Sequence, residues 1–235
     1  MKKFIFLILL SLSLVITSCS KEESSEGRIE LTVSATNLVA KSSIQKKENN
    51  VNVIFTDFQI SIRDVIFKNE DDPNSNLNTG EIQFRGPYQI DLLNGSDALS
   101  QTIGDVFVPD GNYKEIRFKF HKDKDLPSTH KLFDKSIYME GTIDGTPFVF
   151  WHDTSENLDV GRTTGVVVAD GTVNFTVQFD ISQFLSSLHT IDLSAAVDGN
   201  NDGLIEIYPN DEDGNQEIAK LLKENIKETA DIIDN

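Results

Sequence analysis

Residues 198–208 read DGNNDGLIEIY, with Asp198, Asn200 and Asp202 at alternate positions ahead of Gly203. An EF-hand calcium loop begins in this way. A hard cation such as calcium takes about six to eight oxygen ligands, and short acidic or amide side chains can bring oxygens to one point where a glycine permits the turn. On this reading Asp198, Asn200 and Asp202 supply side-chain oxygens and Leu204 a backbone carbonyl. Glu206 adds a carboxylate from the following segment, with Asp211 and Asp213 as the other substitutes. Pro209 stands at the twelfth position, where an EF-hand carries its bidentate glutamate, and LIEIYP has strand character instead of an exiting helix. The loop is therefore not an EF-hand. It is either a structural calcium turn or an acidic connector of the Asn-Asp-Gly kind that joins strands without metal.

Other chemistry is sparse. The chain holds no Walker loop, no Gly-x-Gly-x-x-Gly, no His-Glu-x-x-His and no Gly-x-Ser-x-Gly. Its histidines are His121, His130, His152 and His189. His152 follows the only tryptophan, Trp151, and precedes Asp153. Adjacent residues of a strand point to opposite faces, so Asp153 is poorly placed to orient His152 as a base. Carboxylates abound, yet nothing marks out a pair at glycosidase separation. No catalytic residue is assigned, and the chain is read as non-enzymatic.

Lys2 and Lys3 precede an apolar run from Phe4 to Ile16, shorter than the roughly 20 residues of a spanning helix. This is the pattern of a secretory signal peptide over residues 1–18. The junction Ile16-Thr17-Ser18-Cys19 resembles a bacterial lipobox, which implies that Cys19 becomes the acylated first residue of the mature chain. Cys19 is the sole cysteine, so no internal disulfide can form. Two or more acyl chains hold a protein firmly to a bilayer, and the polar residues 19–27 suit a tether. Lys21-Glu22-Glu23 is similar to the signal that sends some Gram-negative lipoproteins to the outer face of the outer membrane. Without residues 1–18 the chain has 19 basic against 38 acidic residues, a net charge of −19. Such a field repels phosphate backbones, so nucleic acid is not an expected partner.

Strand patterns dominate what remains. RIELTVSATNL (28–38) alternates Ile29, Leu31, Val33 and Ala35 with polar neighbours. KSSIQKKENN (41–50) reads as a polar connection. VNVIFTDFQISIRDVIF (51–67) reads as one long strand whose apolar phase slips near Asp57, which suggests a bulge or a bend between two sheets. An exposed loop follows at 69–80. Further strand-like runs lie at 81–93, 113–122, 135–143, 146–152, 165–170 and 172–180. Turn chemistry marks Pro109-Asp110-Gly111 and Asp144-Gly145, and Asp170-Gly171 carries a hairpin signal. From Asn215 to Ile233, the positions Ile218, Leu221, Leu222, Ile226, Ala230 and Ile233 line one helical face, with Asp213 or Asn215 available as a cap. The expected architecture is mainly β: an antiparallel β-sandwich over 28–208 with a C-terminal α-helix in 209–235 packed on it.

Four segments together resemble an uncharacterised β-sandwich domain family of bacterial extracytoplasmic lipoproteins. They are GPYQIDLL (86–93), PDGNYKEI (109–116), GTIDGTPF (141–148) and the Asp-Gly acidic loop with its terminal helix. The resemblance spans roughly 28–233 and implies a sandwich in the cell envelope, with no established activity to transfer. The expectation is thus a lipid-anchored outer-membrane protein exposed at the cell surface. It would touch the membrane through its N-terminal lipid and serve as a non-enzymatic binding or structural module stabilised by calcium. A protein or glycan ligand stays unnamed. The alternative is a surface carbohydrate-binding protein in which Trp151, Tyr88 and Tyr208 stack on sugar rings.

Overall fold

A computed structural model of the chain describes residues 25–36, 42–46, 49–95, 97–185 and 189–233. The expected signal peptide, the expected lipidation position Cys19 and the expected tether through Ser24 lie outside the described residues. In chain order the strands are β1 (Glu26–Thr36), β2 (Ser42–Lys46), β3 (Asn49–Asn69), β4 (Tyr88–Asn94), β5 (Asp97–Ala98), β6 (Ser100–Pro109) and β7 (Gly111–Phe120). After them come β8 (Ile137–Ile143), β9 (Thr146–His152), β10 (Asn157–Val168), β11 (Thr172–Asp180) and β12 (Ile205–Ile207). Helix α1 (Gln216–Ile226) and β13 (Ala230–Ile233) close the chain.

The strands form two packed sheets. One has the order β13-β11-β1-β6, and the other has the order β10-β7-β3-β8-β9-β12 with β2, β4 and β5 paired alongside. The mainly-β sandwich with one C-terminal helix is as expected, but the sheets are mixed and not purely antiparallel. β1 runs parallel to β11, and β12 runs parallel to β9. Both parallel pairs join segments distant in sequence, which alternation within a strand does not reveal.

β3 is the spine. It pairs with β8 from Val53 to Ile60 and with β7 from Ile62 to Asn69, while β2 and β4 also pair with it. Its register shifts between Phe55 and Asp57, where the sequence predicts a bulge, and again between Arg63 and Ile66. Asp64 takes φ +52° at the second irregularity. Each slip moves the apolar phase by one position, so Val53, then Phe58, Ile60 and Ile62, then Val65 and Phe67 all enter the core. The segment 42–46 is a strand on β3, not a free connection. β6 is absent from the sequence reading because its pattern is half-exposed and broken by Gly104.

Turn chemistry is used in two ways. Asp144 (φ +50°) and Gly145 (φ +87°) make the tight hairpin between β8 and β9, a geometry that glycine adopts without steric cost. Asp170-Gly171 makes no hairpin, because β10 pairs with β7 in one sheet and β11 with β1 and β13 in the other. The Asp110-Gly111 turn likewise carries the chain from β6 in the smaller sheet to β7 in the larger.

The helix is shorter than its apolar stripe. It ends at Ile226, and Thr229 donates its hydroxyl to the Ile226 carbonyl at 2.9 Å. Ala230–Ile233 then pairs with β11 as a strand, for which β-branched Ile232 and Ile233 are suited. Ala219, Leu222 and Ile226 are buried in the core. On its outer side α1 is latched to the turn between β9 and β10. Lys223 donates to Glu156 at 2.6 Å, and Lys227 pairs with the same carboxylate.

Ring packing runs along the core in two groups. Phe184 meets Phe55, Phe58 and Phe150, with centroids 6.0, 6.4 and 6.3 Å away. Phe67 meets Phe84, Tyr113 and Phe175 at 6.3, 6.3 and 5.2 Å. Such rings bury large area each, which suits a domain with no disulfide. Phe184→Ala should lower unfolding free energy by about 3–5 kcal/mol in a denaturant titration. The latch should show in pH dependence. Bonds from Lys223 and Lys227 pull the Glu156 pKa from 4.5 to about 2. The latch thus stabilises the fold fully above about pH 4.5 and fades as pH falls toward 2. A melting-temperature gap between wild type and Glu156→Gln is expected at pH 7 and should close near pH 2.

Candidate functional site

The acidic turn precedes β12 and stands beside the start of β9, since Ile205 aligns with Phe148. Asp198 accepts from the N–H groups of Asp202 and Gly203 at 3.1 and 2.9 Å. Asn200 accepts from Asp202 N–H at 2.9 Å, and Asp202 accepts from Leu204 N–H at 2.9 Å. Gly203 has φ +91°, which lets the chain reverse beneath these groups. Three of the expected oxygen donors are therefore gathered on one turn, each already shaping its backbone. Glu206 is not with them: its carboxylate accepts the Tyr208 hydroxyl at 2.7 Å, and burial followed by this bond raises the Tyr208 pKa. Among the described residues no group of three or more His, Cys, Asp or Glu side chains is gathered to hold a metal. A calcium shell here would draw on Asp198, Asn200, Asp202, the Leu204 carbonyl and water, all hard oxygen donors.

The turn is held from behind by residues at the same alternate spacing. Asp211, Asp213 and Asn215 are 5 %, 6 % and 2 % exposed. Asp213 accepts from the N–H groups of Gly199, Asn200 and Glu206 at 2.9, 3.1 and 2.7 Å. Asp211 accepts from Gly214 and Asn215 N–H at 2.6 and 2.8 Å and so caps the approach to α1. Asn215 holds the N-cap position without capping. Its amide instead accepts from Val197 N–H and donates to the carbonyls of Val197 and Glu206. The expected caps, Asp213 and Asn215, thus serve the acidic turn, and Asp211 serves the helix. A second run of alternate short polar residues, 211-213-215, is the signal in the sequence that would have shown this.

The outward face beside the turn carries rings, charges and a cleft. Trp151 and Tyr208 stack with centroids 4.7 Å apart and planes 18° apart. Lys135 lies 5.4 Å from the Trp151 centroid and 5.6 Å from that of Tyr138, a cation–π arrangement. Burial lowers the Lys135 pKa. Trp151 and Tyr208, two of the three rings named for sugar stacking, thus face each other. Tyr88, the third, is half-buried against the core. Lys131 bridges Asp57 and Glu140 at 2.7 Å each, and Tyr138 donates its hydroxyl to Glu140. Burial opposes the charge of Lys131, but the two carboxylates outweigh it and raise its pKa.

Next to this network lies a cleft of about 360 Å³ lined by Thr56, Tyr138, Glu140, Pro147, Val149 and Leu204. Leu204 comes from the acidic turn, so the turn supplies one wall. A second cleft, about 430 Å³, is bounded by Asp180, Glu228 and Asp231 near Thr36, the last described residue before Ser42. The histidines do not converge on either. His130 accepts from Leu132 N–H at 3.1 Å, and His189 bonds Glu224 at 2.8 Å. His152 stands 3.8 Å from Asp153, and burial, aided by Lys223 and Lys227, lowers its pKa.

The fold and this face define a mainly-β sandwich with a C-terminal helix and a side cleft. The chain belongs to the DUF4382 family, a domain of unknown function, matched over residues 47–205, about two thirds of its length. Neither the curated proteins nor the solved structures contain a match. The matched span leaves out β1, β2, α1, β13 and all of β12 but Ile205, although β1 lies between β11 and β6 in the smaller sheet. Removing the Asp213 carboxylate would leave three N–H groups without their partner. Asp213→Ala should cost about 2–4 kcal/mol in chemical denaturation, with Asp213→Asn recovering part of the loss.

Proposed function

We propose that this chain is a lipid-anchored envelope protein, displayed at the outer-membrane surface, that works as a non-enzymatic binding module. The observation that carries the reading is the cleft of about 360 Å³ on the outward face of β8 and β9, bounded by fixed polar groups and aliphatic side chains. Ligand sites combine these features. The anchoring part draws on Lys2-Lys3, the apolar run to Ile16 and Cys19, six residues before Ser25. The position of that end favours display. β1 starts beside Asp110 and Gly171, where Asn69 at the far end of β3 pairs with Tyr113. The acidic turn lies near the other end of β3, where Asn52 bonds Asp144. A protein tethered at one end presents its cleft and acidic turn to the medium.

Cys19→Ala in the full-length protein should abolish palmitate labelling and move the chain from the membrane fraction to the soluble one. Persistent membrane association would remove the lipid anchor from this reading. Calcium belongs to the same proposal as a structural ion at the 198–204 turn. Calcium at millimolar concentration should raise the melting temperature of the full chain, and Asp202→Ala should abolish the rise. An unchanged melting curve for the wild type would remove calcium and leave an acidic connector.

A further inference from the structure

We propose that the cleft beside the acidic turn is a saccharide site that takes a neutral hexopyranose unit. The inference rests on the binding-module reading and names the ligand of that cleft. A pyranose ring presents C–H groups on its faces and hydroxyls around its rim. The lining matches both. Pro147, Val149 and Leu204 offer an aliphatic surface, and Glu140, Tyr138 and Thr56 offer polar groups on the adjoining side. The volume, about 360 Å³, sits at the small end of ligand sites, which run from about 300 to 1,000 Å³.

Glu140 is the expected anchor. One of its oxygens accepts from Tyr138 and the other from Lys131 at 2.7 Å, which fixes the carboxylate in place. A carboxylate has about four lone-pair sites, so Glu140 keeps acceptor capacity for two sugar hydroxyls. Hydrogen bonds to a charged acceptor are about twice as strong as neutral ones. The same carboxylate, in a chain of strong net negative charge, disfavours uronates and other anionic sugars. Trp151 and Tyr208 are not the platform of this cleft, because neither lines it and each gives one ring face to the other. The acidic turn enters the site through Leu204, whose N–H is held by Asp202 at 2.9 Å. Asp202 is thus a positioning residue for the cleft wall.

The test is a microarray of neutral hexopyranose oligosaccharides with trigalacturonate beside them. It uses the full chain in a non-glycosidic detergent, and calorimetry follows on the strongest binder. A neutral oligosaccharide should bind, and trigalacturonate should not. Glu140→Gln should weaken binding about tenfold or more. Leu204→Ala and Asp202→Ala should weaken it by smaller factors, and Asp202→Asn, which keeps an acceptor for the Leu204 N–H, should restore it. If Glu140→Gln loses its fold, exposed Thr56→Ala serves in its place with a severalfold loss expected. Absence of binding by every neutral sugar overturns the inference, as does preference for trigalacturonate. Binding untouched by these substitutions in folded variants also overturns it. None of these outcomes alters the result of the Cys19→Ala fractionation, so the lipid anchor and the ligand of the cleft fail separately. Binding of trigalacturonate in place of a neutral sugar would keep the binding module while removing this ligand.

Discussion

The double change of phase along β3 is the constraint on which the rest of the molecule depends. A strand of 21 residues with strict alternation would keep one face inward along its whole length. Here the inward set changes between Phe55 and Asp57 and again around Asp64. The strand can therefore serve β8 and β9 with its first half and β7 and β10 with its second. Each half has its own ring group, one around Phe184 and one around Phe67. Loss of either slip would turn apolar side chains toward water in one half.

From that spine the functional face follows. β8 lies against the first half of β3, which brings Asp57 and Glu140 to opposing positions. Lys131 lies between them and keeps like charges from facing each other unscreened. β9 then places Trp151 beside Tyr138, and Tyr208, just after β12, stacks on Trp151. The cleft is a by-product of this order, because its walls come from β3, β8, β9 and the turn before β12. Helix α1 and β13 complete the sandwich, although they lie outside the span by which the family is matched.

Much of this was legible in the residues and some was not. The slip near Asp57 is visible as Val53 and Phe55 against Phe58 and Ile60. The second slip is equally visible as Ile62 against Val65, within a segment that reads as one long strand. Asp144-Gly145 and Asp170-Gly171 look alike in sequence. One closes a hairpin and the other changes sheets, because pairing partners are chosen by distant strands. Ala230 and Ile233 fit the helical stripe by spacing, but β11 offered an edge, and tertiary pairing overrode periodicity. For the site, the turn-forming role of Asp198, Asn200 and Asp202 was legible. The removal of Glu206 to Tyr208 was not, since it depends on which side of β12 each residue faces. The cleft was invisible because no spacing brings Glu140 to Leu204.

The hydrogen bonds of Asp213 and Asn215 have a consequence beyond the turn. β12 pairs with β9 through Ile205 and Ile207, which leaves the N–H and carbonyl of Glu206 pointing outward from the last strand of the larger sheet. Asp213 takes that N–H and Asn215 that carbonyl. Two side chains thus stand where the next strand would dock. An uncapped outermost strand is a template for joining copy to copy. A border sealed by the chain's own carboxylate and amide keeps a second copy from extending the sheet at β12.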